Sequence, residues 1–288
     1  MSPALEVRDA SFKYGERSVL DNATLTVGRG EMVALLGANG AGKTTLLRLA
    51  SGVSAPFSGE VLLFGRRLGD MRRREVARAV AVMPQDSAIP PGWSVEEVVG
   101  LSRTPHIGLL RGESAADRRA VAEALAVTGL DAFVGRGFDS LSGGERQMAL
   151  VALAIAQETD LILLDEPTAH LDLRRRADVL DAVQDLNERR GVAVLAAMHD
   201  PILAALYFDR IVLLAEGRVL ADGPPGETLT EPLLEKVYNA RVRVLHDDEL
   251  GVPLATVLPR RAHLGTGKNA TAAGQAAHRR RSESNPHT

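Results

Sequence analysis

Two glycine-rich segments of the chain have the composition needed to bind phosphate. The first, GANGAGKT at 37–44, satisfies the pattern G-x-x-x-x-G-K-[ST] and lies between the apolar run 31–37 and a helical stretch that begins TTLL. Glycines let successive backbone N–H groups surround phosphate oxygens, Lys43 supplies a positive charge, and the Thr44 hydroxyl can bind Mg²⁺. These residues, named the phosphate loop below, predict a nucleoside triphosphate site.

Carboxylates and a histidine end two other apolar runs. Asp165 and Glu166 end DLILLDEP (160–167), where Asp165 could hold Mg²⁺ through its outer shell and Glu166 could orient or deprotonate a water. His199 ends VAVLAAMHD (192–200) and could contact a γ-phosphate or the attacking water. Adjacent carboxylates are also typical of a solvated strand end, and a lone histidine is usually structural. The phosphate loop favours the catalytic interpretation.

Two more residues gain significance from the same site. Gln85 closes the strand-like run AVAVMPQ, where its amide could complete Mg²⁺ coordination or hold the water. Tyr14 is one of three tyrosines and could stack on an adenine ring. Neither residue is diagnostic alone, so both depend on the phosphate loop for this interpretation.

The second glycine-rich segment is LSGGE at 141–145. Ser142 and Glu145 have the spacing of a capping box at the start of an apolar-periodic helix, which is a purely structural interpretation. A capping box does not explain Gly143 and Gly144, which would expose the positive end of that helix to a second phosphate. A helical insertion separates this segment from the phosphate loop. We therefore expect another chain to supply one half of each nucleotide site.

The elements that position these residues can be predicted from the hydrophobic pattern. Continuous apolar runs are typical of buried parallel strands, whose carboxyl ends gather ligands at one edge of the sheet. The alternating stretches LEVRDASFKY and SVLDNATLTV predict an antiparallel layer, and RIVLLAEGRVLADG predicts a hairpin about Glu216 and Gly217. Between Ser94 and Gln157 the pattern is helical, and Ser114 is a predicted cap.

The ordered set of Tyr14, GANGAGKTT, Gln85, LSGGE, LILLDEP, AHLD and His199 resembles the ATP-binding cassette ATPases over residues 4 to about 258. The resemblance implies an α/β fold: a P-loop NTPase (RecA-like) parallel sheet core with an N-terminal antiparallel β layer and an inserted α-helical subdomain at about 92–158. It also implies head-to-tail homodimers in which each ATP lies between one phosphate loop and the other chain's LSGGE segment.

The resemblance assigns a role to each matching residue. Catalysis falls to Glu166 as general base, His199 as γ-phosphate switch and Gln85, while Asp172 makes contact across the dimer. The Mg²⁺ ligands are Thr44 and Gln85, with Asp165 behind them. The residues expected to bind ATP are Tyr14, Gly37, Ala38, Asn39, Gly40, Ala41, Gly42, Lys43, Thr44, Thr45, Ser142, Gly143, Gly144 and Asp172. Met148 and Ala169 depart from the common motifs, in which an arginine and a serine or threonine are frequent.

The stretch SVEEVVGLSRTPHIGLL (94–110) is similar to cassettes that energise uptake of siderophores, haem and cobalamin. The resemblance implies a membrane permease that docks near Gln85, Trp93 and His106, an extracellular substrate-binding protein, and a position on the cytoplasmic face of the membrane. The alternatives are a transporter of another substrate, including export, or a soluble mechanical ATPase acting on nucleic acid or ribosomes. A P-loop kinase is disfavoured by LSGGE, and no specific nucleic-acid binding is expected.

Composition and charge fit this assignment. The 288 residues are 45% hydrophobic and include no cysteine, which excludes disulfides and thiolate metal sites. No apolar run approaches the ~18 residues that span a bilayer. Residues 260–288 carry a net charge of +5 within a total of −3 and contain few large apolar residues. We expect 1–258 to form the nucleotide-binding domain and 259–288 to be a disordered basic tail.

Overall fold

The computed structural model describes residues 2–85, 89–108 and 112–259. Except for Pro259, the predicted basic tail lies outside the described residues. Twelve strands are present in this part of the chain: β1 Leu5–Tyr14, β2 Arg17–Val27, β3 Met32–Leu36, β4 Ser58–Leu63, β5 Arg66–Arg67, β6 Val80–Met83, β7 Leu161–Asp165, β8 Ala193–Met198, β9 Arg210–Ala215, β10 Arg218–Gly223, β11 Val242–Asp247 and β12 Val252–Val257.

The strands form three sheets. The largest has the order β10-β9-β3-β8-β7-β6, and all of its neighbours are parallel except the hairpin β9–β10. A second, antiparallel sheet has the order β2-β1-β4-β5, and β11 and β12 form a separate antiparallel pair. The predicted combination of a parallel sheet with an antiparallel layer is confirmed.

The hairpin between β9 and β10 has the predicted turn. Ala215 pairs with Arg218, so the turn contains only Glu216 and Gly217. Their φ angles are 49° and 77°, and two successive left-handed residues match the right-handed twist of the flanking strands. The sequence Glu-Gly at the end of an apolar run thus specifies the turn.

Nine α-helices occur in the described ranges: α1 Lys43–Ala50, α2 Arg73–Ala79, α3 Val95–Gly100, α4 Ala115–Val127, α5 Gly143–Ala156, α6 Leu173–Arg190, α7 Pro201–Tyr207, α8 Pro225–Thr228 and α9 Glu231–Tyr238. Ser94, Ser114 and Ser142 each cap the next helix through a capping box. These caps are local signals that the sequence contains in full. Among the described helices, none is long and apolar enough to cross a membrane.

The parallel sheet separates two hydrophobic cores, and β3 shows how. Its residues alternate between them: Met32, Ala34 and Leu36 pack with the helical region, whereas Val33 and Leu35 pack with the antiparallel layer. Because both faces of the strand are covered, all five residues are buried. The resulting rigid sheet holds the carboxyl ends of β3, β6, β7 and β8 at one edge.

Candidate functional site

The phosphate loop joins β3 to α1, and its backbone requires glycine at two positions. A Cβ atom on Gly37 would lie 2.4 Å from the carbonyl oxygen of Leu214. Gly42 has a φ of 108°, and a Cβ there would lie 2.8 Å from Leu20 Cδ2. A side chain at either position would therefore displace the loop from β9 or from β2.

The side chain of Lys43 lies inside the phosphate loop. Its Nζ atom donates hydrogen bonds to the carbonyl oxygens of Gly37 at 2.7 Å and Ala38 at 3.3 Å. The residue is only 5% exposed, and burial lowers the pKa of its ammonium group, although the nearby carboxylates of Glu166 and Asp165 raise it. Lys43 thus presents a desolvated positive charge at the centre of the loop.

Thr44 and Asp165 connect α1 to the end of β7. The Thr44 hydroxyl donates to Asp165 Oδ1 at 3.2 Å. Burial is the main cause that raises the pKa of Asp165, while the bond from Thr44 lowers it. A hydroxyl, a carboxylate and the nearby Gln85 amide offer the oxygen ligands that Mg²⁺ prefers, so this donor set fits Mg²⁺.

Glu166 joins the ends of three neighbouring strands. Its backbone has a left-handed φ of 55°, and its N–H donates to the carbonyl oxygen of Ala197 in β8 at 3.0 Å. One carboxylate oxygen accepts a 2.7 Å bond from Gln85 Nε2, and the other is hydrogen-bonded to His199 Nε2. Glu166, Gln85 and His199 therefore meet where the strand-end argument placed them.

A cleft of about 630 Å³ lies between the phosphate loop and the β1–β2 turn and is named the nucleotide cleft below. Its predicted lining residues are Tyr14, Asn39, Gly40, Gly42, Lys43, Thr44, Thr45, Gln85, Glu166 and His199. Tyr14 is 46% exposed and packs edge-on against Phe12, and its hydroxyl accepts a 3.0 Å bond from Arg48. An aromatic ring is thus available at the end of the cleft away from Glu166.

Three residues of the lining were not predicted: Arg17, Val19 and His170. Arg17 and Val19 are brought to the cleft by the contact of β2 with Gly42, which the sequence does not show. His170 has a left-handed φ of 60°, a conformation uncommon outside glycine. Its position between Glu166 and Asp172 was the available signal.

The LSGGE segment lies elsewhere. Ser142 is exposed and caps α5, with its hydroxyl accepting from Glu145 N at 3.3 Å while Glu145 Oε2 accepts from Ser142 N at 2.7 Å. Asp172 caps α6 through a 2.9 Å bond from Arg175 N. Within the described part of the chain, Ser142, Gly143, Gly144 and Asp172 are not among the residues that line the nucleotide cleft. Their predicted contact with ATP therefore requires a second chain.

The two departures from the common motifs have different surroundings. Met148 is 4% exposed and lies in the core between α5 and the parallel sheet, where an apolar side chain adds to packing. Ala169 is partly exposed next to His170. Neither substitution removes a polar group from the nucleotide cleft.

Comparison with known proteins gives matches across most of the chain. A family model described as "ABC transporter" matches residues 20–169. Among curated relatives, the hemin import ATP-binding protein HmuV of Streptomyces coelicolor is 44% identical over 86% of this chain and 87% of its own length. The petrobactin import ATP-binding protein FpuD of Bacillus anthracis is 37% identical over 88% of this chain and 93% of its own.

Solved structures agree with the sequence matches. A chain from a metal-chelate type ABC transporter in an inward-facing conformation superposes with a TM-score of 0.78 at 28% identity, covering 90% of this chain and 99% of that one. The dimeric cassette MJ0796 bound to ADP and Pi gives a TM-score of 0.68 at 28% identity, covering 76% and 98%. These TM-scores and coverages show that the chain shares its fold with both structures.

Proposed function

Because the chain belongs to the ABC transporter family and is an ATP-binding cassette ATPase, we propose that it is the ATP-hydrolysing subunit of an importer. Two copies close around two ATP molecules and drive uptake of an iron chelate, either a siderophore or haem, or of cobalamin, through a membrane permease. Closure and release of the dimer supply the work, since ATP stabilises the closed state and hydrolysis removes that stabilisation.

The observation that carries this proposal is the position of Glu166 between Gln85 and His199, beside the phosphate loop. In the proposed mechanism Lys43 holds the β- and γ-phosphates, and Glu166 accepts a proton from the attacking water. His199 exchanges its bond to Glu166 for one to the γ-phosphate. Mg²⁺ held by Thr44 and Gln85, with Asp165 behind, would neutralise phosphate charge.

The other half of each site comes from the LSGGE segment of the second copy. Ser142 and the backbone N–H groups of Gly143 and Gly144 lie at the N-terminus of α5, where the helix dipole favours a phosphate. Asp172 begins a neighbouring helix and faces the same partner. The dimeric state of the MJ0796 cassette supports this arrangement.

The transported substrate is inferred from the relatives. Their names specify petrobactin and hemin, and the structural relative is of a metal-chelate type. A permease would dock near Gln85, Trp93 and His106, where Trp93 is 38% exposed, and the protein would lie on the inner face of the membrane. An extracellular binding protein would deliver the substrate to that permease.

A Glu166→Gln variant tests the ATPase mechanism. The amide keeps the size of the side chain but cannot accept the proton, so ATP and Mg²⁺ should convert the variant to a stable dimer on size-exclusion chromatography. Lys43→Ala in the same background is the control, since it should stay monomeric. A folded Glu166→Gln protein that remains monomeric with saturating ATP would contradict the proposal.

The substrate assignment needs a separate experiment. A strain lacking this gene should lose growth when a ferric siderophore or haem is the only iron source, and the wild-type gene should restore growth while Glu166→Gln should not. Loss of growth on one iron source identifies the chelate. Normal growth on both iron sources, together with impaired uptake of cobalamin, would favour cobalamin as the substrate.

A further inference from the structure

The first turn of α6 has an unusual charge pattern. It contains Arg174, Arg175 and Arg176 and no acidic residue. Positive side chains at a helix N-terminus oppose the helix dipole, so the sequence breaks a local preference at this position. Local exceptions of this kind are expected at functional sites, where other contacts compensate for them.

Arg176 makes contacts in two directions. Its Nε atom donates a 2.9 Å hydrogen bond to the carbonyl oxygen of Leu171, the residue immediately before Asp172. Its Nη1 atom lies 3.5 Å from Asp200 Oδ2 in an ion pair. Leu171 is buried in the core, and its carbonyl oxygen connects Arg176 to the backbone of Asp172. Arg176 thus links the segment at Asp172 to the start of α7.

Asp200 is held in place by its own helix. Its Oδ1 atom accepts hydrogen bonds from the backbone N–H groups of Ile202 at 3.0 Å and Leu203 at 3.2 Å, which makes it the cap of α7. The preceding residue, His199, is hydrogen-bonded to Glu166. A displacement of Asp200 would therefore move the backbone that carries the imidazole of His199.

The same turn of α6 also contacts the LSGGE segment. A Cβ atom on Gly144 would lie 3.3 Å from Arg175 Cγ and 3.4 Å from Arg175 Cδ, so the arginine stem packs along this glycine. The first turn of α6 accordingly lies between residues expected to meet the partner's ATP and residues expected to act on the chain's own ATP.

We propose that Arg176 is a positioning residue that couples the two ATP sites of the dimer. When the partner's ATP engages Ser142 and Asp172, the guanidinium of Arg176 transmits the displacement of Leu171 to Asp200 and sets the position of His199. The inference rests on the proposed function, because it requires two composite sites in one dimer.

The test compares Arg176→Ala with Arg174→Ala in the full-length protein. Both variants remove one positive charge from the same helical turn, but no ion pair of Arg174 is present among the residues that the structure describes. Arg176→Ala should lower kcat roughly three- to tenfold and bring the Hill coefficient for ATP to about one. ATP binding to the monomer, measured by fluorescence, should stay unchanged, and Arg174→Ala should match the wild type in all three measurements.

A double-mutant cycle with Asp200→Asn isolates the contact. Asparagine still caps a helix but lacks the charge, so Arg176→Ala should add little to the effect of Asp200→Asn. Arg176→Lys, which keeps the charge, should recover part of the cooperativity. It also replaces Arg176→Ala in the comparison if the alanine variant is unstable.

Three results would overturn the coupling. They are wild-type cooperativity in Arg176→Ala, an equal loss in Arg174→Ala, or additive effects of Arg176→Ala and Asp200→Asn. A wild-type protein that does not hydrolyse ATP or does not dimerise would overturn the proposed function as well, so the two failures are distinguishable.

Discussion

The two glycine-rich segments differ in why they contain glycine. In the phosphate loop the reason lies inside the chain, because side chains at Gly37 and Gly42 would collide with β9 and β2. At Gly143, apart from its chain neighbours and the backbone of its own helix, no heavy atom of the described chain lies within 4 Å of an added Cβ, and the φ angle is not left-handed. The fold alone therefore does not require glycine at 143. The phosphate loop thus needs its glycines for the fold of its own chain, whereas the open space at Gly143 agrees with the proposed contact with a partner.

If each ATP site needs both glycine-rich segments, defects in the two segments should complement each other when they are on different chains. Lys43→Ala and Ser142→Arg should each reduce ATP hydrolysis roughly 100- to 1,000-fold, since each damages both composite sites of a homodimer. An equimolar mixture should recover up to about a quarter of wild-type activity, because half of the dimers would contain one intact site. Phosphate release measures the recovery.

Thermal melting of each single variant checks that both chains fold. Wild-type ATP hydrolysis by Ser142→Arg alone would show that each chain hydrolyses ATP without the LSGGE segment of a partner. The LSGGE segment would then be a helix cap and nothing more.

Alanine substitutions at one glycine of each segment should have opposite effects on stability. Gly143→Ala should raise stability by roughly 0.5–1 kcal/mol, because alanine favours the helix, yet lower ATP hydrolysis about tenfold as its methyl group meets the partner's phosphate. Gly42→Ala should instead destabilise the fold by about 1–3 kcal/mol because of its left-handed backbone. Melting temperature and phosphate release, measured on the same samples, separate the effects. Full activity in Gly143→Ala would show that no ligand approaches this position.

Arg103 and Asp117 anchor the helix that carries the LSGGE segment. Arg103 is buried and bonds to the carbonyl oxygen of Ala156 at the end of α5 and to Asp117 Oδ1 at 3.0 Å. Bonds from Ser114, followed by that from Arg103, lower the pKa of Asp117 from 3.8 to about 2. The folded state therefore favours the charged carboxylate, and this stabilisation is complete above the unfolded pKa.

We expect the difference in urea midpoint between wild type and Asp117→Asn to stay constant while the pH is above 3.8. It should narrow as the pH falls toward about 2. A difference that grows on acidification would mean that folding raises the pKa of Asp117 instead of lowering it. The anchoring contact is then not the source of the stabilisation.

The sequence was sufficient to predict the elements whose signals are local in the chain. Apolar runs located β3, β7 and β8, and parallel strands bring Glu166 and His199 together at one edge without further information. The predicted caps Ser114 and Ser142 located the starts of α4 and α5, whereas the cap of α3 at Ser94 was not predicted. The roles of the site residues stay predictions, and those of Ser142 and Asp172 also depend on a second chain.

The sequence was insufficient where partners are distant. The pairing of β4 with β1, which joins Leu5 to Leu63, depends on a long-range register that alternation does not specify. Arg17 entered the nucleotide cleft only because β2 packs over Gly42. The ion pair of Arg176 with Asp200 also joins two helices that no local pattern connects.

The hairpin β11–β12 connects the C-terminal part of the described chain to the segment of His199 through α7. Strand β12 packs against α7, and Val244, Val252 and Ala255 rest on the main core. Since α7 starts one residue after Asp200 and two after His199, removing 242–257 would strip the support from the outer side of that helix. Truncations at this end should therefore loosen His199, although they lie far from it in sequence.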